Sequence, residues 1–284
     1  MPLRHILILI ACNAAWGFNF IAGKVGTAVF EPLLFSAIRF AVVFVLLVPF
    51  IRWVPGQMKS ILLLGLVMGG GHYTLMFYAI KIGHVLSTIA VASQLVVPMS
   101  TLLAVWLLGE RIQWVRTLAI VMCFVGVVII GFEPVGHNDI LALTLAVFAS
   151  AAMAYATIIM RSIKGVGVFN LQAWIALVAT PLLFALSLAI EGPAWEALTA
   201  IPIKDYWAPI YSGVGATIFG HGLMYWLLTK HAVNLVTPFI TLSTVFAVVF
   251  SILIYGDTLT SRVITGGLMI LIGVFIISRR QPVK

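Results

Sequence analysis

Apolar stretches of about 20 residues follow one another along the whole chain, separated by short polar segments or by Gly and Pro. A helix needs about 20 mostly apolar residues to cross a bilayer, so each stretch predicts one transmembrane helix. The predicted spans are residues 5–24, 32–51, 60–80, 86–108, 114–132, 138–160, 169–190, 208–229, 235–255 and 262–279. The pattern therefore predicts an all-α integral membrane protein with ten transmembrane helices.

The composition supports one membrane domain with no separate water-soluble part. Hydrophobic residues make up 63% of the 284 positions and charged residues 8%, where soluble domains carry about 25% charged residues. The mean hydropathy is +1.18. A soluble fold could not bury this much apolar surface, and the apolar stretches leave no space for an additional domain of ordinary size.

The net charge of +8 reflects membrane topology rather than nucleic-acid binding, because the basic residues stand singly at the ends of apolar stretches. Most of the 16 Lys and Arg residues fall on one predicted side of the membrane, and only Lys24, Lys81, Lys204 and Arg262 fall on the other. By the positive-inside rule, both termini are expected in the cytoplasm.

The two halves of the chain are related by a weak internal repeat. The matched pairs include Gly71 and Gly220, His72 and His221, Met76 and Tyr225, Gly109 and Gly256, and Glu110 and Asp257. These matches predict repeats over residues 1–134 and 135–284 within one membrane domain. Because each repeat holds an odd number of spans, the second must cross the membrane in the opposite direction, which makes an inverted-topology repeat.

This architecture favours a transporter, because two inverted halves can open a midplane cavity alternately to each side. An intramembrane enzyme is disfavoured, because the sequence has no mid-span carboxylate pair, His-Glu metal motif or Ser nucleophile with a base. No catalytic residue, metal or cofactor is therefore predicted, and no P-loop for ATP coupling is present. A channel or scaffold is the other competing class, which the polar faces present in both halves disfavour.

Several sequence runs resemble the EamA-type branch of the drug/metabolite transporter superfamily. They are Trp16-Gly17-Phe18-Asn19-Phe20, residues 32–39, residues 98–108 followed by Gly109-Glu110-Arg111, Gly126-Val127 and Gly273-Val274. The resemblance covers nearly the entire chain. It implies a multi-pass secondary transporter of the bacterial inner membrane that exports small metabolites.

Within that family, the short loops resemble those of bacterial amino acid exporters, including the aromatic amino acid type. Leu95, Val96 and Val97 precede the proline of predicted helix four, where an aromatic-specific carrier would be expected to have aromatic residues. The resemblance therefore implies a broader range of amino acids. Purines, nucleosides, other metabolites or drugs are the alternative substrates.

Polar side chains in mid-span should face a cavity or a partner helix, since lipid exposure is costly. On predicted helix four, Ser87, Gln94 and Thr101 share one face with Pro98, and on predicted helix nine Thr237, Thr241, Thr244 and Ser251 share one face. The hydroxyl groups could instead join helices through hydrogen bonds. The predicted substrate-binding residues are Trp16, Asn19, Phe20, His72, Met76, Gln94, Pro98, Met153, Tyr155, Thr157, His221, Tyr225 and Thr241.

Arg39 lies about seven residues inside the second span, a depth on the order of 10 Å. It could bind a substrate carboxylate or act in gating, or it could snorkel or cap helix carbonyls, and the structural role is favoured. All eight carboxylates fall near span ends, so transport is expected to be facilitated diffusion or coupled through histidine or substrate protonation. Glu110 and Asp257 are expected to cap the following helix or to pair with Arg111 and Arg262.

The expected partners are a small-molecule substrate and membrane lipid, with no nucleic acid. Gly126, Gly266, Gly267 and Gly273 permit close helix packing within one chain or between two chains. A monomer and a homodimer are therefore both compatible with the sequence.

Overall fold

The computed structural model describes residues 1–132, 137–192, 198–199, 201–231 and 236–279, and it contains helices and connections but no strand among them. The main helical segments are α1 (Leu3–Val29), α2 (Pro32–Phe50), α3 (Met58–Ile82), α4 (Leu86–Leu108), α5 (Trp114–Gly131), α6 (His137–Ser162), α7 (Val168–Ile190), α8 (residues 207–230), α9 (Phe239–Tyr255) and α10 (Ser261–Arg279).

Eight of these segments are long and apolar enough to cross a membrane, which confirms eight of the predicted spans. The other two are α8 and α9. Segment α8 is built from consecutive helical stretches of 5, 10 and 9 residues, and α9 is a shorter apolar helix. The predicted repeat boundary at residues 134 and 135 falls outside the described residues.

Local sequence explains where several helices begin and end. Pro32 occupies the first turn of α2, where its fixed φ suits a helix and its missing N–H is not needed. Gly109 and Gly256 end α4 and α9 in the left-handed conformation, with φ of +67° and +69°. Glycine adopts this conformation without a Cβ penalty, so this matched pair of the internal repeat has a structural cause.

Helices α5 and α10, the last helix of each half, run antiparallel to each other. A Cβ added to Gly126 of α5 would lie 2.6 Å from the carbonyl oxygen of Gly266 in α10, and one added to Gly273 would lie 2.4 Å from Cys123 Sγ. Residue numbers thus rise along α5 as they fall along α10. These glycines bring two helices of one chain into backbone contact, which is one of the two arrangements that the sequence allowed.

The first helix of each half packs among the third and fourth helices of the other half. Helix α1 contacts α8 and α9, and α6 contacts α3 and α4. Small residues allow the close approach: a Cβ on Gly17 would lie 2.8 Å from Ser243 O, and Ala146 and Ala149 of α6 are fully buried. The centre of the bundle is therefore built from both halves together.

At one end of the bundle, named the Glu191 end, one carboxylate joins three helices. Glu191 follows α7 and accepts hydrogen bonds from the N–H groups of Leu33 and Leu34 at 2.8 and 3.1 Å. It also accepts hydrogen bonds from the hydroxyls of Tyr78 and Ser187 at 2.8 and 2.9 Å. A carboxylate at a helix N-terminus satisfies free N–H groups and complements the helix dipole, so Glu191 stabilises the start of α2.

The opposite end, named the Arg52 end, is held by pairs between loops. The N–H of Arg52 donates to Asn170 Oδ1 at 2.9 Å, and the Trp174 indole donates to the Arg52 carbonyl at 3.0 Å. Arg161, at the end of α6, pairs with Glu110 after α4 at 2.7 Å. These contacts again join one half of the chain to the other.

The predicted partners of Glu110 and Asp257 were wrong. Glu110 pairs with Arg161, and Asp257 accepts a hydrogen bond from the N–H of Ser87 at 2.9 Å, at the start of α4. Arg262 donates to the carbonyl of Phe132 instead. Because each half inserts its first helix into the other, the nearest opposite charge or free N–H comes from a distant part of the sequence.

Candidate functional site

A cavity of about 310 Å³ lies at the centre of the bundle and is lined by seven helical segments from both halves. Its volume is at the lower end of the range of about 300–1,000 Å³ that small-molecule sites occupy. The lining residues are Trp16, Asn19, Phe20, Arg39, His72, Tyr73, Met76, Phe77, Ile80, Ser93, Gln94, Val96, Val97, Met153, Ala216, His221, Ile240 and Ser243. This central cavity is the candidate site.

Two π-helical stretches, in α3 and in α8, carry the matched histidines into the central cavity. They span Val67–Tyr73 and Ser212–His221, and each places its histidine at or next to its last residue. The wider π-helical turn is rare and concentrates at functional sites. Sequence reasoning missed both stretches, and the only signals were the glycine-rich runs before His72 and His221.

The two histidines have different surroundings. His72 Nδ1 lies 2.9 Å from the carbonyl oxygen of Ala149, which requires the proton to be on Nδ1. Its other ring nitrogen therefore remains an acceptor when the ring is neutral. The ring of His221 lies against Trp16, with the two ring centroids 5.2 Å apart.

Trp16 is fixed across the boundary between the two halves. Its indole N–H donates to the carbonyl oxygen of Ala216 at 2.9 Å, within the π-helical stretch of α8. Gly220 provides the space, since a Cβ at that position would lie 2.4 Å from the indole nitrogen. The ring is thus held in a fixed orientation as part of the cavity wall.

Arg39 is the most unusual residue of the cavity, with only 2% of its surface exposed. Its guanidinium carbon lies 4.0 Å from the ring centroid of Tyr73 and 5.7 Å from that of Phe77. One terminal nitrogen donates to Thr217 Oγ1 at 2.8 Å, while Nε and Nη1 have no partner within the described residues. The expectation that Arg39 snorkels or caps helix carbonyls was wrong, because it is buried and its bonded partner is a hydroxyl.

Two amide side chains also face the cavity. Gln94 is 8% exposed and donates a hydrogen bond from Nε2 to the Thr244 hydroxyl, which joins α4 to α9. Asn19 Oδ1 is buried and is without a hydrogen-bond partner in the described part of the chain. The side-chain carbonyl oxygen of Asn19 is therefore an unsatisfied acceptor within the wall of the cavity.

No Asp or Glu is among the lining residues. Within the described ranges, the ion pairs are Lys81 with Glu31, His84 with Asp139 and Arg161 with Glu110, all at helix ends or in loops. The charge of Arg39 thus has no carboxylate partner among these residues.

Five of the predicted site residues do not line the central cavity. Tyr155 is 40% exposed and lies two residues beyond Met153, about 200° around the helix. Tyr225 is 45% exposed and lines a separate groove of about 780 Å³ near Arg52. The other three are Pro98, which is buried, Thr157, whose hydroxyl donates to the Met153 carbonyl at 2.9 Å, and Thr241.

Sequence reasoning also left out residues that do line the cavity. Tyr73, Phe77 and Ile80 follow one another at helical spacing on α3. The helical periodicity beside His72 could therefore have predicted that they line the cavity. A 3-10 turn over Ser93–Leu95 precedes Val96 and Val97 and changes the direction in which the following side chains point around the helix axis. That local change has no sequence signal.

The side chain of Thr237, which was predicted to lie on the polar face of helix nine, lies outside the described residues.

A bundle of apolar helices around a central cavity that is lined by both halves and contains a few buried polar side chains defines a multi-pass membrane transport protein. The chain belongs to the EamA-like transporter family, which matches residues 3–132 and again residues 140–279. It is a transporter of small molecules and not an enzyme, and it is a multi-pass protein of the inner membrane. The resemblance stated from the sequence is thereby confirmed.

Two curated relatives carry the same description, "Probable amino-acid metabolite efflux pump". The relative from Salmonella typhimurium is 25% identical, over 97% of this chain and 95% of its own length. The relative from Escherichia coli (strain K12) is 24% identical over the same shares. A crystal structure of another protein superposes with a TM-score of 0.61 at 16% identity, covering 96% of each chain, and shows the fold alone.

Proposed function

We propose that this protein is a secondary transporter that exports amino acids or closely related metabolites by alternating access around the central cavity. The observation that carries the proposal is that one cavity is lined by both halves of the chain, and the last helices of these halves, α5 and α10, run antiparallel. Such a pair of halves can exchange conformations and so open the cavity to either side. The amino acid assignment is supported by the two relatives described as amino-acid metabolite efflux pumps.

The proposal includes ten membrane crossings, with inverted repeats over residues 1–134 and 135–284 and both termini in the cytoplasm. In this arrangement α8 and α9 cross together with the other eight segments. The Arg52 end then faces the cytoplasm and the Glu191 end faces outward, which agrees with the distribution of Lys and Arg.

The orientation is testable with cysteine labelling, because both native cysteines, Cys12 and Cys123, are fully buried. Lys59→Cys at the Arg52 end and Lys81→Cys at the Glu191 end are treated with a membrane-impermeant maleimide. Intact cells should label only Lys81→Cys, and inside-out vesicles only Lys59→Cys. The reverse pattern would show that the proposed orientation is wrong.

The proposed substrate contacts are the predicted residues that line the central cavity. They are Trp16, Asn19, Phe20, Arg39, His72, Met76, Gln94, Met153 and His221. Aromatic and aliphatic side chains supply apolar contact, and the amides, imidazoles and guanidinium supply polar anchors. Transport is facilitated diffusion, or is coupled through protonation of histidine or substrate, since no carboxylate of the described residues lines the cavity.

Counterflow in liposomes tests the function. Liposomes containing the purified protein are preloaded with unlabelled amino acids and given labelled amino acids outside. Saturable exchange is expected, and Trp16→Ala should abolish it. Trp106→Ala is the matched control, because Trp106 is 79% exposed and lies outside the cavity.

The same assay separates the alternatives. Exchange of purines or nucleosides with no exchange of any amino acid would show that the substrate proposal is wrong. Flux that rises without saturation and shows no counterflow would indicate a channel instead of a carrier.

A further inference from the structure

Two residues that line the central cavity carry buried groups of opposite hydrogen-bonding character without partners in the described structure. Nε and Nη1 of Arg39 are donors on a cation, and Oδ1 of Asn19 is an acceptor on a neutral amide. We propose that the cavity binds α-amino acids as zwitterions, with the carboxylate on Arg39 and the ammonium group on Asn19 Oδ1. This inference rests on the proposed transport of amino acids.

The requirement for a carboxylate follows from the burial of Arg39. A buried charge without an opposite charge is costly, and the cost is relieved when an anion binds it. The ring of Tyr73 covers one face of the guanidinium at 4.0 Å, but a neutral ring attracts the cation without cancelling its charge. Thr217 takes one donor, so the other donors are available to carboxylate oxygens.

The requirement for an ammonium group follows from Asn19. A buried carbonyl oxygen without a donor loses the hydrogen bonds it would make in water, and an ammonium group supplies up to three donors. The acceptor is neutral, so the ammonium group is held by hydrogen bonding and not by an opposite charge of the protein. A zwitterion satisfies both groups and adds no net charge to the cavity.

Neither charged half of an amino acid is sufficient alone. A simple amine would bring a second positive charge beside Arg39 and leave its donors unsatisfied. A simple carboxylic acid would neutralise Arg39 but leave Asn19 Oδ1 without a donor. The apolar lining then receives the substrate's side chain, and Phe20, Met76, Ile80, Met153 and Ile240 supply that part of the wall.

Three ligands with the same isobutyl side chain test the separate roles of the carboxylate and the ammonium group. They are leucine, its decarboxylated amine 3-methylbutylamine, and its deaminated acid 4-methylpentanoate. Each competes with labelled leucine for binding to the purified protein. Charge-assisted hydrogen bonds contribute roughly 1.5–3 kcal/mol, so leucine should bind about 10- to 100-fold more tightly than either analogue.

Two substitutions should remove the two preferences separately. Arg39→Gln should weaken leucine and 4-methylpentanoate but not the amine, so the preference for leucine over the amine disappears. Asn19→Leu should remove the preference for leucine over 4-methylpentanoate and keep the preference over the amine. A purely structural role would weaken all three ligands together.

The chain offers a matched control for each substitution. Arg116 is a buried arginine whose Nε and Nη1 also lack partners among the described residues, and Asn13 has an unpartnered buried Oδ1 on the same helix as Asn19. Neither residue lines the cavity. Arg116→Gln and Asn13→Leu should therefore leave both binding ratios unchanged.

The inference is overturned if the wild-type protein binds the three ligands equally, or if folded Arg39→Gln keeps the preference for leucine over the amine. The wild-type ratios decide the question even if Arg39→Gln does not fold. If amino acids are exchanged but the ratios fail, the proposed transport function stands and only the zwitterion site is wrong. If no amino acid is exchanged while another metabolite is, both are wrong.

Discussion

The indole N–H of Trp16 donates a 2.9 Å hydrogen bond to the main-chain carbonyl of Ala216, and this bond joins the first helix of one repeat to the π-helical stretch of the other. The contact depends on Gly220, one helical turn further on, which leaves space for the indole ring. The orientation of Trp16 in the cavity wall therefore depends on the absence of a side chain at Gly220.

Gly220→Ala should sharply reduce counterflow. The new Cβ would lie 2.4 Å from the indole nitrogen, so Trp16 must move and its bond to Ala216 is lost. Overpacking of this kind costs about 1–3 kcal/mol. The control is Gly267→Ala, whose nearest neighbour would be a Val91 methyl at 3.7 Å, an ordinary contact. Equal counterflow by the two variants would contradict the role assigned to Gly220.

Glu191→Gln should lower the free energy of unfolding by about 1–3 kcal/mol, because the carboxylate accepts hydrogen bonds from α2, from α3 and from Ser187. Thermal unfolding of the purified protein measures the change. Glu31→Gln is the control at the same end of the bundle. Its pair with Lys81 is solvent-exposed and should contribute less than about 1 kcal/mol. A larger loss from Glu31→Gln than from Glu191→Gln would refute this assignment.

Gly126→Ala and Gly266→Ala should each destabilise the fold. Each added Cβ would meet main-chain carbonyl oxygen of the facing helix, at 2.6 and 2.4 Å, and two backbones cannot adjust as a flexible side chain can. A loss of about 1–3 kcal/mol is expected in thermal unfolding. Gly131→Ala on the same helix, with only a Leu143 methyl at 3.5 Å, should be nearly neutral. Unchanged stability in all three variants would show that α5 and α10 can separate freely.

Replacing both cavity histidines should abolish any accumulation driven by a pH gradient. His72→Asn keeps a donor for Ala149 O while removing the titrating ring, and His221→Asn removes the ring beside Trp16. The double variant in liposomes should still equilibrate substrate but should not accumulate it against a gradient. Accumulation that stays proportional to the imposed pH gradient would exclude the histidines as the coupling groups and would require another proton-binding group.

Hydropathy predicted the helical segments because a membrane span has a fixed length and composition. Helix α10, for example, was predicted to begin at Arg262 and begins at Ser261. The matched glycines Gly109 and Gly256 were found as repeat partners before their left-handed conformation was known. Local sequence patterns were therefore sufficient to predict most of the helical segments.

The site was predicted only in part, because side-chain facing depends on features that local sequence does not fix. Trp16, Asn19 and Phe20 lie on a regular helix, and the expected face is the one that lines the cavity. Tyr225 lies after a π-helical stretch and turns toward a different groove. The long-range partners of Glu191 and Arg39 come from distant helices, so no spacing rule could have supplied them.

The unpaired guanidinium of Arg39 also bears on the energetics of the transport cycle. Since no described side chain supplies its counter-ion, the substrate-free carrier must hold a buried positive charge, at a cost of several kcal/mol. In the proposed zwitterion site, a carboxylate beside Arg39 lowers that cost, so substrate should raise the stability of the folded protein as it fills the site. If that proposal holds, the transported molecule supplies the negative charge that the empty cavity lacks, and its release across the membrane returns the protein to its less stable form.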